Sequence, residues 1–122
     1  MIGIISCTKG KYKLNNVPAR ELYWKSTLFR VSYTVLRRFY PEMDIYILSA
    51  KYGLIKDTDK ISYYNQSFKD MKKKDLPKIE PPDDYVFIGG SIYKSVLTKS
   101  PSKEFGEGLP LGKKVSYLKS LL

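Results

Sequence analysis

The sequence predicts a small three-layer α/β domain, a mainly parallel sheet with helices on both faces. Three observations lead there. Apolar runs of strand length alternate with helical patterns three times along the chain, as βαβ units require. The first run, Met1 to Ser6, is apolar at consecutive positions, which suits a strand covered on both faces. A chain of 122 residues that is 43% hydrophobic can bury a core without disulfides or metals, so residues 1–122 are expected to be one domain.

Taken in order, Met1 to Ser6 is the first strand. Thr8, Gly10, Asn15, Asn16 and Pro18 favour a loop over residues 8–19, and Pro18 suits the first turn of a short helical stretch, Ala19 to Tyr23. The strongest helix runs from Ser26, a good N-cap residue, to Tyr40, where Pro41 stops it. Leu28, Val31, Ser32, Val35, Leu36 and Phe39 share one face of that helix, and Arg30, Arg37 and Arg38 lie mostly off it. Asp44 to Ser49 is the second strand, parallel to the first through a right-handed crossover. Residues 51–68 read as mostly loop and residues 69–79 as a short surface helix ended by Pro77. Tyr85 to Ile88 is the third strand, and Gly89-Gly90 leads into a helix from about Ser91 to Thr98. SPSKEFGEG reads as flexible. Leu111, Val115, Leu118 and Leu122, at helical spacing, mark a last helix. The alternation as a whole is Rossmann-like.

Composition removes whole classes of chemistry. Histidine is absent, so the Ser-His-Asp and Cys-His arrangements and nearly every zinc or non-haem iron site are excluded. The single cysteine, Cys7, forbids an intrachain disulfide and a multi-cysteine zinc site. Asp57 and Asp59 are too little to hold an ion, and neither metal nor cofactor is expected. No run is long enough to span a membrane and the start lacks a secretory pattern, so a cytoplasmic protein is expected, as monomer or homodimer. The net charge of +10 is uneven: residues 1–40 hold eight Lys or Arg against one acid, Glu21. Such a surface calls for an anionic partner, a nucleotide or a nucleic acid, DNA or RNA. The competing reading is that these charges only keep a small domain soluble.

Ligands in open α/β sheets collect beyond the carboxyl ends of the strands. Here those ends are Ser6-Cys7, Ser49-Ala50-Lys51 and Gly89-Gly90, all built from small residues, two of them running into lysine. Small residues let backbone N–H groups approach an anion, and Lys9, Lys11 or Lys51 can neutralise it. Lys11 or Lys51 is a candidate amine nucleophile if desolvated, and otherwise a plain anion contact. Cys7 is a candidate nucleophile or a small buried packing residue. Tyr23 and Tyr93, with Trp24, Tyr52, Tyr63 and Tyr64, offer rings on which a base can stack. Ser26, Gly53 and Asn65 complete the candidate ligand contacts. A non-catalytic DNA- or RNA-binding protein is the alternative, reading its partner with Arg20, Arg30, Arg37 and Arg38 and with Lys72, Lys73 and Lys74.

SCTKGK, PARELYWKSTLFR, YILSAKYGLI, YYNQSF, FIGGSIY and GLPLGKKVSYL follow block by block the pattern of a small family of bacterial, archaeal and viral proteins. Its members read like SC.KKK, PA.DLY.S.LF, ILSAK.GLL, YD.TL, GG..Y and GL.IG..L.WL. That family resembles the YaaA-like proteins and the lysine-transferring core domain of archaeosine synthase, which modifies a 7-deazaguanine base in tRNA. Against the latter's motif, PCS..KPY..S..H, Cys7, Thr8 and Lys11 match the first half. Tyr23, Ser26 and Phe29 fall on the second half after an inserted loop, with Phe29 in place of histidine. Asn65 stands where the family usually has Asp. The resemblance implies a nucleobase or nucleotide pocket with Lys11 as the reactive lysine, in an enzyme of base modification or nucleotide metabolism.

Overall fold

The computed structural model describes residues 1–122. Its elements in chain order are β1 (Ile2–Ser6), β2 (Val17–Pro18), α1 (Ala19–Tyr23), α2 (Thr27–Phe39), β3 (Asp44–Ser49), β4 (Gly53–Lys56), β5 (Lys60–Ile61), β6 (Tyr85–Ile88), α3 (Ser91–Ser95), β7 (Lys103–Glu104) and α4 (Leu111–Ser120). The architecture is mixed α/β. Its main sheet has five strands in the order β4-β3-β1-β6-β7, parallel except for β4. β2 and β5 form a separate two-stranded ribbon.

The consecutive apolar residues of β1 put it at the sheet centre, with Gly3 to Ser6 buried. Ile4 and Ile5 face Tyr46 and Ile47 of β3 on one side, and Phe87 and Ile88 of β6 on the other. The chain leaves β1 for one neighbour and later returns to the opposite one. That makes the carboxyl end of β1 a switch point, where the loops on either side diverge and leave a crevice.

Ser26 caps α2 as its sequence promised: its Oγ accepts the Phe29 N–H at 3.2 Å. Ser26→Ala therefore costs about 1 kcal/mol, read as a lower urea midpoint at unchanged slope. The buried face of α2 is rotated from the predicted one. Phe29 is fully buried, whereas Phe39 is half exposed and meets the Phe105 ring at 5.8 Å. α2 packs on β1 and on α4. In α4 the buried positions are Lys114 and Leu118, while Leu111 and Leu122, which share the helical spacing of Leu118, are exposed.

Four short strands, β2, β4, β5 and β7, were not expected. β4 arises because Gly53, at φ +74°, closes a tight turn after Ser49 and lays GLIK antiparallel along β3. β5 pairs with β2 inside the stretch read as loop. β7 runs through the segment read as flexible, and its pairing with β6 carries Phe105 into the core. The helix expected over residues 69–79 is not formed. That stretch is too short and too rich in lysine to repay nucleation, and the chain makes 3-10 turns at Phe68–Asp70 and Lys73–Asp75. The helix after Gly90 ends at Ser95, short of Thr98. No helix is long and apolar enough to cross a membrane.

Candidate functional site

The carboxyl end of β1 delivers Ser6 and Cys7 between the ends of β3 and β6. Ser6 Oγ accepts the Gly90 N–H at 3.3 Å, tying β1 to the turn after β6. Gly89 lies against Ser6 so closely that a Cβ there would sit 2.3 Å from Ser6 Oγ. Cys7 is buried, and its thiol donates to Tyr93 Oη at 3.2 Å. Tyr93 Oη also accepts the Phe68 N–H at 3.4 Å and shares a hydrogen bond of 3.1 Å with Ser67 Oγ. One hydroxyl thus gathers β1, α3 and the turn at Phe68.

The loop after Cys7 turns Lys11 inward. It is pinned to α1 by the Tyr12 N–H, which donates to the Leu22 carbonyl at 2.9 Å. Lys11 is only 8% exposed. Its Nζ donates to the Thr8 carbonyl at 3.0 Å and lies 4.7 Å from the Tyr64 ring centre and 5.9 Å from that of Tyr23. It forms no ion pair with a carboxylate. Burial away from any counter-charge pushes the amine below its ordinary range, with Cys7 acting weakly in the opposite sense. Thr8 Oγ1, beside it in the chain, is buried without a hydrogen-bond partner.

Behind Lys11 runs a hydroxyl chain. Ser49 Oγ donates to Tyr64 Oη at 2.7 Å, and Tyr64 and Tyr23 share a short hydrogen bond. Ser49 Oγ in turn accepts the N–H groups of Lys51 and Tyr52 at 3.2 and 3.1 Å, fixing the turn after β3. Burial raises the phenols of Tyr23 and Tyr64 well above their usual value and pushes Tyr93 up to about 12. All three remain proton donors at neutral pH.

The same shifts set an alkaline limit on stability. In the unfolded chain these phenols lose their protons near pH ~10, whereas the folded protein holds them. The unfolded state then binds fewer protons, so stability falls as pH rises through this range. The lowered Lys11 and Lys114 act in the opposite sense, but only up to the ordinary lysine value of 10.5. Urea midpoints should therefore drop steeply above pH ~10.5, and less steeply in Tyr64→Phe. A midpoint that is flat or rising there would contradict the burial of these hydroxyls.

The structure brings Ser6, Cys7, Lys11, Tyr23, Ser49, Gly89, Gly90 and Tyr93 to one edge. Other candidates are placed elsewhere. Lys9, Lys51 and Asn65 are exposed, and Lys51 Nζ lies over the ring of its neighbour Tyr52 at 5.2 Å. Ser26 is occupied as the cap of α2 and Gly53 as the turn before β4. Of the basic face, Arg20 and Arg37 pair with buried Asp57 at 3.7 and 3.8 Å, and Arg30 donates to the Trp24 carbonyl at 2.6 Å. Arg38, Lys72, Lys73 and Lys74 are exposed.

The sequence left the place of Tyr64 in the cluster unassigned and gave no sign of Lys114. Tyr64 reads from sequence only as one aromatic among many, yet of YYNQSF it is Tyr64, with Ser67 and Phe68 at Tyr93, that enters, and not Asn65. Lys114 is buried on α4, donates to the Gly89 carbonyl at 2.6 Å, and is lowered by burial. Gly106, at φ +72°, makes room for its stem, 3.0 Å from Lys114 Cγ to where a Cβ would be. The only sequence signal for Lys114 is its place one turn before Leu118. No three Cys, Asp or Glu side chains gather as a metal site would require.

The profile of a family described as a family of unknown function (DUF6884) matches residues 2–120. The chain belongs to that family. The DUF6884 match spans all three strand ends and reaches α4, so every member of the cluster lies within it. No curated protein and no solved structure matches the chain.

Proposed function

We propose that this DUF6884 protein recognises a nucleobase or nucleotide at the carboxyl edge of its sheet and acts on it as an enzyme of base modification or nucleotide metabolism, with Lys11 as the working amine. The observation that carries the reading is Lys11 itself: buried, unpaired with any carboxylate, and held below its ordinary pKa. A lowered pKa brings the neutral form, whose lone pair takes up a proton or attacks an electrophilic carbon, within easier reach. The rings of Tyr64 and Tyr23 flank it at 4.7 and 5.9 Å, and the open space at Gly90 leaves room for an anion. Nothing lies within 4 Å of where a Gly90 Cβ would be. The resemblance to the archaeosine synthase core supports 7-deazaguanine-type chemistry. With this reading go a three-layer Rossmann-like arrangement and a cytoplasmic setting.

A thermal-shift screen with nucleosides, nucleotides and 7-deazaguanine bases tests it. A ligand at about 100 times its Kd stabilises by about 2.7 kcal/mol. A panel without one stabilising member would overturn the reading.

The second reading, a non-catalytic DNA- or RNA-binding protein, draws on exposed Arg38, Lys72, Lys73 and Lys74, none of which forms an ion pair. It expects a steep salt dependence of nucleic-acid affinity that flattens when these four are neutralised, and no effect of Lys11.

A further inference from the structure

Tyr12, Leu14, Arg20, Glu21, Trp24 and Tyr33 line a cavity of about 530 Å3 built from chain neighbours of the Lys11 cluster rather than its members. Tyr12 directly follows Lys11 and Trp24 directly follows Tyr23, so the 8–14 loop and α1 serve both places. Tyr12, Leu14 and Trp24 are 44%, 43% and 39% exposed, a concentration of apolar surface at an opening.

The walls are fixed. The Trp24 and Tyr33 rings meet edge to face at 5.7 Å and 79°. Tyr33 Oη donates to Asp57 Oδ2 at 2.6 Å, and the Arg37 guanidinium covers its ring at 5.4 Å. Arg30 donates to the carbonyls of Trp24 and Lys25 at 2.6 and 3.0 Å, which secures the end of α1 and places a cation beside Trp24.

The chemistry of the lining selects the occupant. Aromatic faces accept a flat ring, and Arg20 in the lining, with Arg30 beside Trp24 and Arg37 over Tyr33, offers charge to the phosphates on either side of it. Glu21, the one acid of that segment, forms no ion pair and faces the cavity. A carboxylate only accepts hydrogen bonds, and guanine presents two adjacent N–H donors that match its two oxygens. We infer that this cavity holds an unpaired guanine-type base carried on a single strand of nucleic acid, stacked on Trp24 and Tyr12. The site is separate from the Lys11 edge and does not depend on chemistry there.

Trp24 is the only tryptophan, so its fluorescence reports the site directly. The probes are UUUGUUU as RNA, its DNA counterpart, U7, free GMP and a duplex of the same sequence. The expected result is saturable quenching by a guanine heptamer, RNA or DNA, with affinity at least ~10-fold above GMP, U7 and the duplex. Tyr12→Ala should weaken it ~10-fold or more, the usual loss for a stacking face, and Glu21→Gln should erase the preference for guanine over uracil. Lys11→Met should leave the quenching in place, which separates failure of the strand-edge reading from failure of this one. Because Trp24→Phe has no probe of its own, its affinity is read by anisotropy of a labelled heptamer, and a modest loss is expected. Absence of quenching, equal response to the duplex or to GMP, or wild-type affinity in Tyr12→Ala would overturn the assignment. So would capture of an apolar peptide in preference to the heptamer.

Discussion

Lys11→Met should sharply reduce the ligand-induced rise in melting temperature while leaving the unliganded protein folded. Methionine keeps the buried stem and removes an amine whose burial is itself costly. The bond to the Thr8 carbonyl and the cation–ring contacts with Tyr64 and Tyr23 are lost, each worth about 1 kcal/mol, against the relief of that burial. A charge-assisted contact to an anionic ligand is worth about 1.5–3 kcal/mol, so the affinity should fall roughly 10- to 150-fold. Lys11→Arg divides the two roles open to this residue. A guanidinium stays charged at working pH, so the variant should retain anion binding yet lose any turnover that needs a neutral amine. Ligand binding that persists unchanged in Lys11→Met would remove this residue from the site.

Gly89→Ala should destabilise by about 3 kcal/mol, at the upper end of what overpacking a core costs. A Cβ there would lie 2.3 Å from Ser6 Oγ, 2.6 Å from Ser6 Cβ and 2.8 Å from Phe87 Cζ. Ser6 and Phe87 are themselves buried in adjacent strands and cannot retreat. The neighbouring Gly90→Ala is the control. Its Cβ would meet nothing within 4 Å and its φ is −81°, so it should be neutral or slightly stabilising through the unfolded chain. Urea denaturation of the pair reads the difference, and equal midpoints would contradict the packing of β1 against β6.

What could be read from the sequence follows from what each feature depends on. β1, β3 and β6 are continuous apolar runs, and α1 and α2 carry local signals in Pro18 and Ser26, so their positions agree with expectation almost to the residue. β2, β4, β5 and β7 carry no such local signal as strands. They exist because a neighbouring edge was free to pair, as Gly53's turn shows for β4. The same distinction holds at the site. Strand ends built from small residues announced Ser6, Cys7, Ser49 and Gly89. Lys114 could not be read, because a lysine on an amphipathic helix ordinarily reaches water, and only Gly106 and the Gly89 carbonyl make its burial sensible. Lys11 and Lys51 look alike in sequence, yet the hydroxyl chain from Ser49 to Tyr23 encloses one and leaves the other outside.

The central claim is that Lys11 is a desolvated amine, and the pH titration of the lysine ε-carbon NMR signals, assigned with Lys11→Met, measures it directly. Lys11 should titrate below the ordinary lysine value and return toward it when an anionic nucleotide binds, and Lys114 should also be lowered. Lys11 titrating at the ordinary lysine value of 10.5 would contradict it.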